Sequence, residues 1–202
     1  MQKSEAFCDD VNLLTEHLDG FLVVENVVNK FEMTSGAIVS RNRKCKVIGF
    51  GAWHGKEDWP LAWIEPVKSH KVFGIIIANN YRDILKLNWA HRYQKFSNTI
   101  YSWNSRFLDT VFQRVEVLRL FALSRVYYVA AILPIEKSMV KKFECLMGNF
   151  IWKHSGKLLR VSLADIKNTK LSGGLDLPCI EKMANALLLS QCLRTIKSIS
   201  IN

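Results

Sequence analysis

The sequence has no C-x-x-C pair, no apolar run long enough to span a bilayer, no internal repeat and no low-complexity tract. Each absence removes a class of protein. The five cysteines (Cys8, Cys45, Cys145, Cys179 and Cys192) lie far apart and have no clustered histidine partners, which argues against a zinc site. Their odd number fits a reducing compartment and predicts free, mostly buried thiols. The longest apolar candidate, Val126 to Ile135, is boxed between Arg125 and Glu136; it is too short for a membrane span and reads as core. No secretory signal opens the chain. The expectation is an intracellular protein, nuclear or cytoplasmic, not secreted and with no membrane partner.

What the sequence has in excess is positive charge. Among 202 residues, 28 Lys+Arg face 18 Asp+Glu, a formal net charge of +10. That balance favours a polyanionic partner, because each neutralised phosphate releases condensed counterions. The same surplus also serves solubility. With 49% hydrophobic and 23% charged residues the composition is globular. A chain of this length can bury roughly 70% of its unfolded surface without disulfide or metal staples.

The charge is unevenly placed. The first twenty residues hold Glu5, Asp9, Asp10, Glu16 and Asp19 against Lys3 alone, whereas the remainder is basic. Dense clusters occur from Arg41 to Lys46 and between Lys137 and Lys170. A local acidic spot followed by basic surface suits a site that holds divalent metal beside one that holds phosphate.

Pattern separates the chain near residue 81. Ser4 to Leu14 reads strand, turn, strand, with Asp9-Asp10 at the turn. Thr15 can cap a following helix, in which Leu18, Phe21, Leu22, Val24, Val28 and Phe31 recur at helical spacing until Ser35-Gly36 stops it. Cys45 to Phe50 and His70 to Ala78 look like short strands rich in Val and Ile. Between them Gly51 to Pro66, with Trp53, Trp59 and Trp63, reads as a loop; its tryptophans suit core packing or base stacking. Beyond residue 81 the spacing predicts helices over 82–102, 109–132, 136–153 and 179–198, punctuated by Pro134, Ser172-Gly173-Gly174 and Pro178. Tyr127 and Tyr128 are expected in the core.

Phe7-Cys8-Asp9-Asp10 is the sharpest chemical feature. Nucleotidyl transfer by two metal ions needs hard oxygen ligands on a rigid element, so that the ions clamp the attacking and leaving oxygens. Adjacent aspartates at a hairpin tip put at least one carboxylate outward. The same pair is also an ordinary solvated turn.

The surrounding motifs bear on that choice. Ser35-Gly36-Ala37-Ile38-Val39-Ser40-Arg41-Asn42-Arg43-Lys44 comes after the first helix, and Lys71-Val72-Phe73-Gly74-Ile75 after the loop. Trp103, Arg106, Leu108 and Arg114 form a Trp-x-x-Arg-x-Leu…Arg pattern. Leu123-Ser124-Arg125-Val126-Tyr127-Tyr128, Pro134, Phe150-Ile151-Trp152 and Gly173-Gly174-Leu175-Asp176-Leu177-Pro178 continue the series. In this order and spacing the chain resembles the reverse transcriptases of non-LTR (LINE-like) retrotransposons, across nearly its whole length.

The resemblance implies an α+β fold: a partial polymerase palm of short antiparallel strands and one helix over 1–81, thumb helices over 82–134 and a post-thumb helical segment over 135–202. It implies RNA-directed DNA polymerisation by the intact parent enzyme, with Mg²⁺ as cofactor and an RNA template, a DNA primer and deoxynucleotides as partners. Asp9 would be a metal ligand and Asp10 its neighbour in the catalytic cluster. Lys44 would lie near the incoming phosphates, though it also reads as part of a solvated basic loop. Lys71, Phe73 and Gly74 would belong to a hairpin that grips the primer, and Val72, Phe73 and Ile75 also read as core. Arg106 and Arg114 would follow the duplex, or stand as plain surface residues of a helix hairpin.

Ser40 departs from the family's common asparagine, and Cys8 fills a slot that is usually small or apolar. The family's first catalytic aspartate and its fingers precede the carboxylate hairpin, and Met1 stands just before it. The expectation is therefore a fragment that does not catalyse alone and self-associates through an exposed palm edge near Ala6 or Val47. Two alternatives remain open: a non-catalytic basic nucleic-acid-binding protein, and a helical interaction domain derived from a transposon.

Overall fold

The computed structural model describes residues 3–7, 10–41, 45–104, 106, 108–152 and 161–199. The chain is mixed α+β and divides into two compact units, Met1–Asn80 and Tyr81–Asn202. The segments 82–134 and 135–202 that the resemblance implies both fall within the second unit.

Among the described residues every strand lies in the first unit. Strands β1 (Lys3–Phe7) and β2 (Asp10–Leu14) pair antiparallel, from Lys3 opposite Leu14 to Phe7 opposite Asp10. Asp10 thus opens the second strand, where the sequence placed it in the turn. Helix α1 (Asp19–Ser35) comes next. Thr15 is not its cap: the Thr15 hydroxyl donates to the His17 carbonyl at 2.8 Å, and Leu18 occupies the cap position without a side-chain bond. Gly36, at φ 71°, ends the helix as its pattern predicts and returns its N–H to the Glu32 carbonyl.

Only Gly20 and Phe21 of α1 are buried. Phe21, Trp59 and Leu61 form a small core, with Val47, Trp53, Trp63 and Ile64 packed against it. The Trp59 ring lies 5.5 Å from Phe21 and 5.9 Å, edge-on, from Trp53. The tryptophan loop therefore supplies core, and leaves Leu22 and Phe31 of the helix exposed.

The span expected as a strand from Cys45 to Phe50 contributes only β3 (Lys46–Val47), which pairs parallel with β4 (Glu65–Pro66). Glu65 N–H donates to the Cys45 carbonyl at 2.9 Å and Val67 N–H to the Val47 carbonyl at 3.0 Å, so the missing N–H of Pro66, between them, faces away from β3. The span from His70 to Ala78 is a hairpin, β5 (Ser69–Val72) with β6 (Ile75–Ala78), Val72 opposite Ile75.

The second unit is helical. Its elements are α2 (Tyr81–Asn104), α3 (Val111–Val117), α4 (Leu123–Ala130), α5 (Lys137–Ile151), α6 (Leu163–Lys167) and α7 (Ile180–Ile199). A π-helical turn, Leu118–Ala122, joins α3 to α4. The Thr110 side chain accepts from the Gln113 N–H while Gln113 reaches back, a capping box that starts α3. Trp89 and Phe96 of α2 and Phe143 of α5 are almost fully buried, and the Phe143 ring stands edge-on to Trp89, Tyr93 and Phe96 at 6.4, 5.4 and 5.0 Å. Trp89 Nε1 donates to the Pro134 carbonyl at 2.8 Å, which holds the turn before α5 against α2.

Two burial expectations are corrected. Tyr128 is 47% exposed, because it lies off the face of α4 that buries Leu123, Val126 and Ala130; the Arg92 guanidinium stands 5.4 Å from its ring centroid. The described cysteines are free as expected but not buried: Cys145 and Cys192 are exposed, Cys45 and Cys179 half-buried. Among the described residues no helix is long and apolar enough to cross a membrane.

Candidate nucleic-acid interface

Asp9 and Lys44 lie outside the described residues, as does the Asp10 side chain. The backbone at Asp10 is the first position of β2, paired with Phe7. Among the described residues no three His, Cys, Asp or Glu side chains come together where they could hold a metal ion. The two carboxylates that the sequence singles out as metal ligands are not among the side chains that this statement covers.

The segment leading to Lys44 is tied to α1 by one carboxylate. Glu32 Oε1 accepts the Val39 N–H at 2.8 Å, and its Oε2 accepts Arg41 Nη2 at 2.7 Å. Arg41 also donates to Asn29 Oδ1 at 2.7 Å. Arg41, one of the positive residues of the first basic cluster, is thus neutralised internally, while the connection is held against the helix.

The β5–β6 hairpin turns on two residues that both have positive φ, Phe73 at 47° and Gly74 at 81°. Two such residues make the I′ turn that matches strand twist, and Asn-Gly is its favoured occupant. Glycine adopts this region without penalty, but phenylalanine does not, so Phe73 is held in a strained conformation. It is also 43% exposed. The core expectation holds for Ile75, which is buried, and fails for Phe73, because a two-residue turn carries its first residue to the tip. Lys71 is exposed, opposite Ile76 in the ladder.

The two arginines of the Trp-x-x-Arg pattern part company. Arg106 is exposed, with its guanidinium carbon 4.4 Å from the centroid of the Trp103 ring. Trp103 in turn packs on Phe121, ring centroids 5.0 Å apart at 32°. Arg114 turns inward instead. Its Nε and Nη2 donate to the Leu108 carbonyl at 3.0 and 2.8 Å, and its Nη1 donates to the Ile151 carbonyl at 2.8 Å. That guanidinium ties the loop before α3 to the C-terminus of α5. It is a structural tie and not the plain surface residue that its apolar neighbours suggest.

Helix α5 presents Lys137, Lys141 and Lys142, all exposed. Lys137 and Lys141 stand four residues apart, and like charges at that spacing weaken a helix by about 0.2–0.5 kcal/mol per pair. Lys167, by contrast, is paired with Glu144. Burial lowers the affinity of Arg92 for its proton, the nearby Tyr128 opposing the effect, and pushes the Tyr127 hydroxyl up to about 12.

No protein-family model matches the chain, and no curated protein matches it.

Proposed function

We propose that the chain is the palm-end and thumb portion of a non-LTR retrotransposon reverse transcriptase, which binds nucleic acid but does not copy it alone. The observation that carries this reading is the β1–β2 register: the first and last residues of the aromatic-x-Asp-Asp box, Phe7 and Asp10, face each other on a two-stranded antiparallel ribbon. A rigid ribbon is what two-metal chemistry needs to aim carboxylates. The hairpin with Phe73 at its tip and Lys71 on its strand supports a primer-contacting role, and exposed Arg106 and the α5 lysines support phosphate contact. In the intact parent enzyme Asp9 and Asp10 would hold Mg²⁺ with a third carboxylate, Lys44 would lie near the nucleotide phosphates, and an RNA template, a DNA primer and deoxynucleotides would be the partners.

The test has two arms. The purified chain should bind an RNA–DNA hybrid with an affinity that falls steeply as salt rises, and should extend no primer on an RNA template with Mg²⁺. Absent or salt-insensitive binding overturns the reading. Robust extension that disappears on Asp9→Ala would instead make the chain a complete enzyme.

A second reading, a helical interaction domain, is favoured by one observation. Leu189, Leu193 and Ile196 recur on α7 at helical spacing and are 61%, 50% and 62% exposed. Sedimentation separates the two: concentration-dependent association abolished by Leu193→Glu, without hybrid binding, would select it.

A further inference from the structure

The cluster of Arg106, Trp103 and Phe121 lies at the surface of the helical unit and is unlike ordinary surface packing in three respects. Its aromatic rings are in tilted contact with one member open: Phe121 is 46% exposed, and the Trp103 ring against it is half-buried. Its cation lies over one of the rings, 4.4 Å from the Trp103 centroid. The Arg106 N–H donates to the Trp103 carbonyl at 3.1 Å, a turn that brings the guanidinium over the indole of its own i−3 neighbour. Its third member sits in the π-helical turn Leu118–Ala122. A π-turn adds one residue and so rotates the downstream helix by roughly 100° about its axis, at a local loss of stability, and such insertions recur at functional sites. Arg119 of the same turn pairs with Glu116 of α3, and the Arg106 guanidinium lies over the Trp103 ring.

We propose that this cluster is a stacking site for an unpaired base of a single-stranded nucleic acid. Guanidinium planes and aromatic rings both accept bases face-on, and the contact tolerates any base because every base has a π face. A guanidinium already lying on an indole loses little further freedom when a base joins the stack, and its N–H edge remains available to the adjoining phosphate. The formal net charge of +10 supplies the long-range attraction for the strand. The proposal rests on the reading that the chain binds nucleic acid, and assigns to it a site selective for bases that are not paired.

Two single strands of equal length test it, one carrying a fluorescent adenine analogue whose emission is quenched by stacking, the other an abasic site at that position. The analogue strand should bind about tenfold more tightly than the abasic strand and be quenched on binding. Arg106→Lys keeps the charge at an exposed position and should remove most of that tenfold preference while leaving helicity intact; Trp103→Leu should remove the quenching. If both strands bind equally, with salt-dependent affinity and no quenching, the stacking site is overturned and the nucleic-acid reading stands. If neither strand nor hybrid binds, both fall. Quenching unchanged in both variants would place the base elsewhere and also overturns the site.

Discussion

Arg114 and Ile151, thirty-seven residues apart in sequence, are joined by a 2.8 Å hydrogen bond from the guanidinium Nη1 to the backbone carbonyl. The acceptor lies in the last turn of α5, where carbonyl oxygens have no intrahelical partner, so a cation there satisfies an orphan group and complements the helix dipole. Because Leu108 is held by the same side chain, one residue closes both the α2–α3 connection and the end of α5.

Arg114→Ala should therefore destabilise the chain by about 1–3 kcal/mol, the cost of leaving half-buried acceptors unpaired. Arg114→Lys should recover only part, because an ammonium cannot reproduce the two-sided fork. Thermal unfolding followed by circular dichroism measures this. Arg106→Ala, in the same sequence pattern, should leave the midpoint within error. Equal midpoints for the two variants would refute the different roles given to them.

That pair also marks what was legible in the sequence. Apolar periodicity predicts helices over 82–102, 109–132, 136–153 and 179–198, and helices occupy Tyr81–Asn104, Val111–Ala130 (with its π-turn), Lys137–Ile151 and Ile180–Ile199. A helix's burial pattern is local, so it can be read one residue at a time. The inward turn of Arg114 is not local: its acceptor belongs to another helix, and no spacing rule links the two. The π-turn escapes for a different reason, since a largely apolar stretch from Val115 to Leu123 reads as helix whatever its pitch. Helix α6 spans only five residues, although Ser162 and Asp165 form the capping box that announces it. In the strand-bearing unit, Cys45 to Phe50 has β composition but finds a partner for only Lys46 and Val47, because pairing depends on what lies alongside.

Gly173 and Gly174 adjoin but are needed for opposite reasons. Gly173 has φ 79° and open space around its Cα, so a side chain there meets backbone strain only. Gly174 is buried, and a Cβ would lie 2.0 Å from the Asn168 carbonyl oxygen and 2.7 Å from that of Asp165. Gly173→Asn should cost less than about 1 kcal/mol, since asparagine tolerates the left-handed region. Gly174→Ala should cost about 1–3 kcal/mol, because main chain must move to admit the methyl group. Urea unfolding compares them, and a larger loss at Gly173 would reverse the assignment.

Tyr127 offers a pH test. Burial raises its hydroxyl to about 12, against an ordinary value near 10, and that hydroxyl has no hydrogen-bond partner among the described residues. The folded state therefore keeps its proton where the unfolded state releases it. The resulting stability is fully present below about pH 10 and lost as pH rises toward 12. After discounting for solvent screening at a half-buried site, the loss should be about 1 kcal/mol. Tyr127→Phe should flatten this slope, and should not destabilise at neutral pH, because it removes an unsatisfied polar atom. A steeper alkaline slope in the variant would contradict the placement.

Phe73 tests whether strain at a hairpin tip is kept for contact. Its φ of 47° costs phenylalanine about 1–2 kcal/mol relative to a residue at ease in that region, and Val72 opposite Ile75 confines the chain reversal to Phe73 and Gly74. Phe73→Asn converts the turn to Asn-Gly, its favoured pair, so the hairpin should gain about 1 kcal/mol of stability. The ring removed is 43% exposed, so little core is lost in exchange. If the tip touches a primer, the same substitution should weaken RNA–DNA hybrid binding several-fold while Tm rises. Stability and affinity moving in opposite directions would mark the strain as functional. A rise in Tm with unchanged affinity would remove Phe73 from the interface, and a fall in Tm would show that the aromatic ring packs more tightly than its exposure indicates.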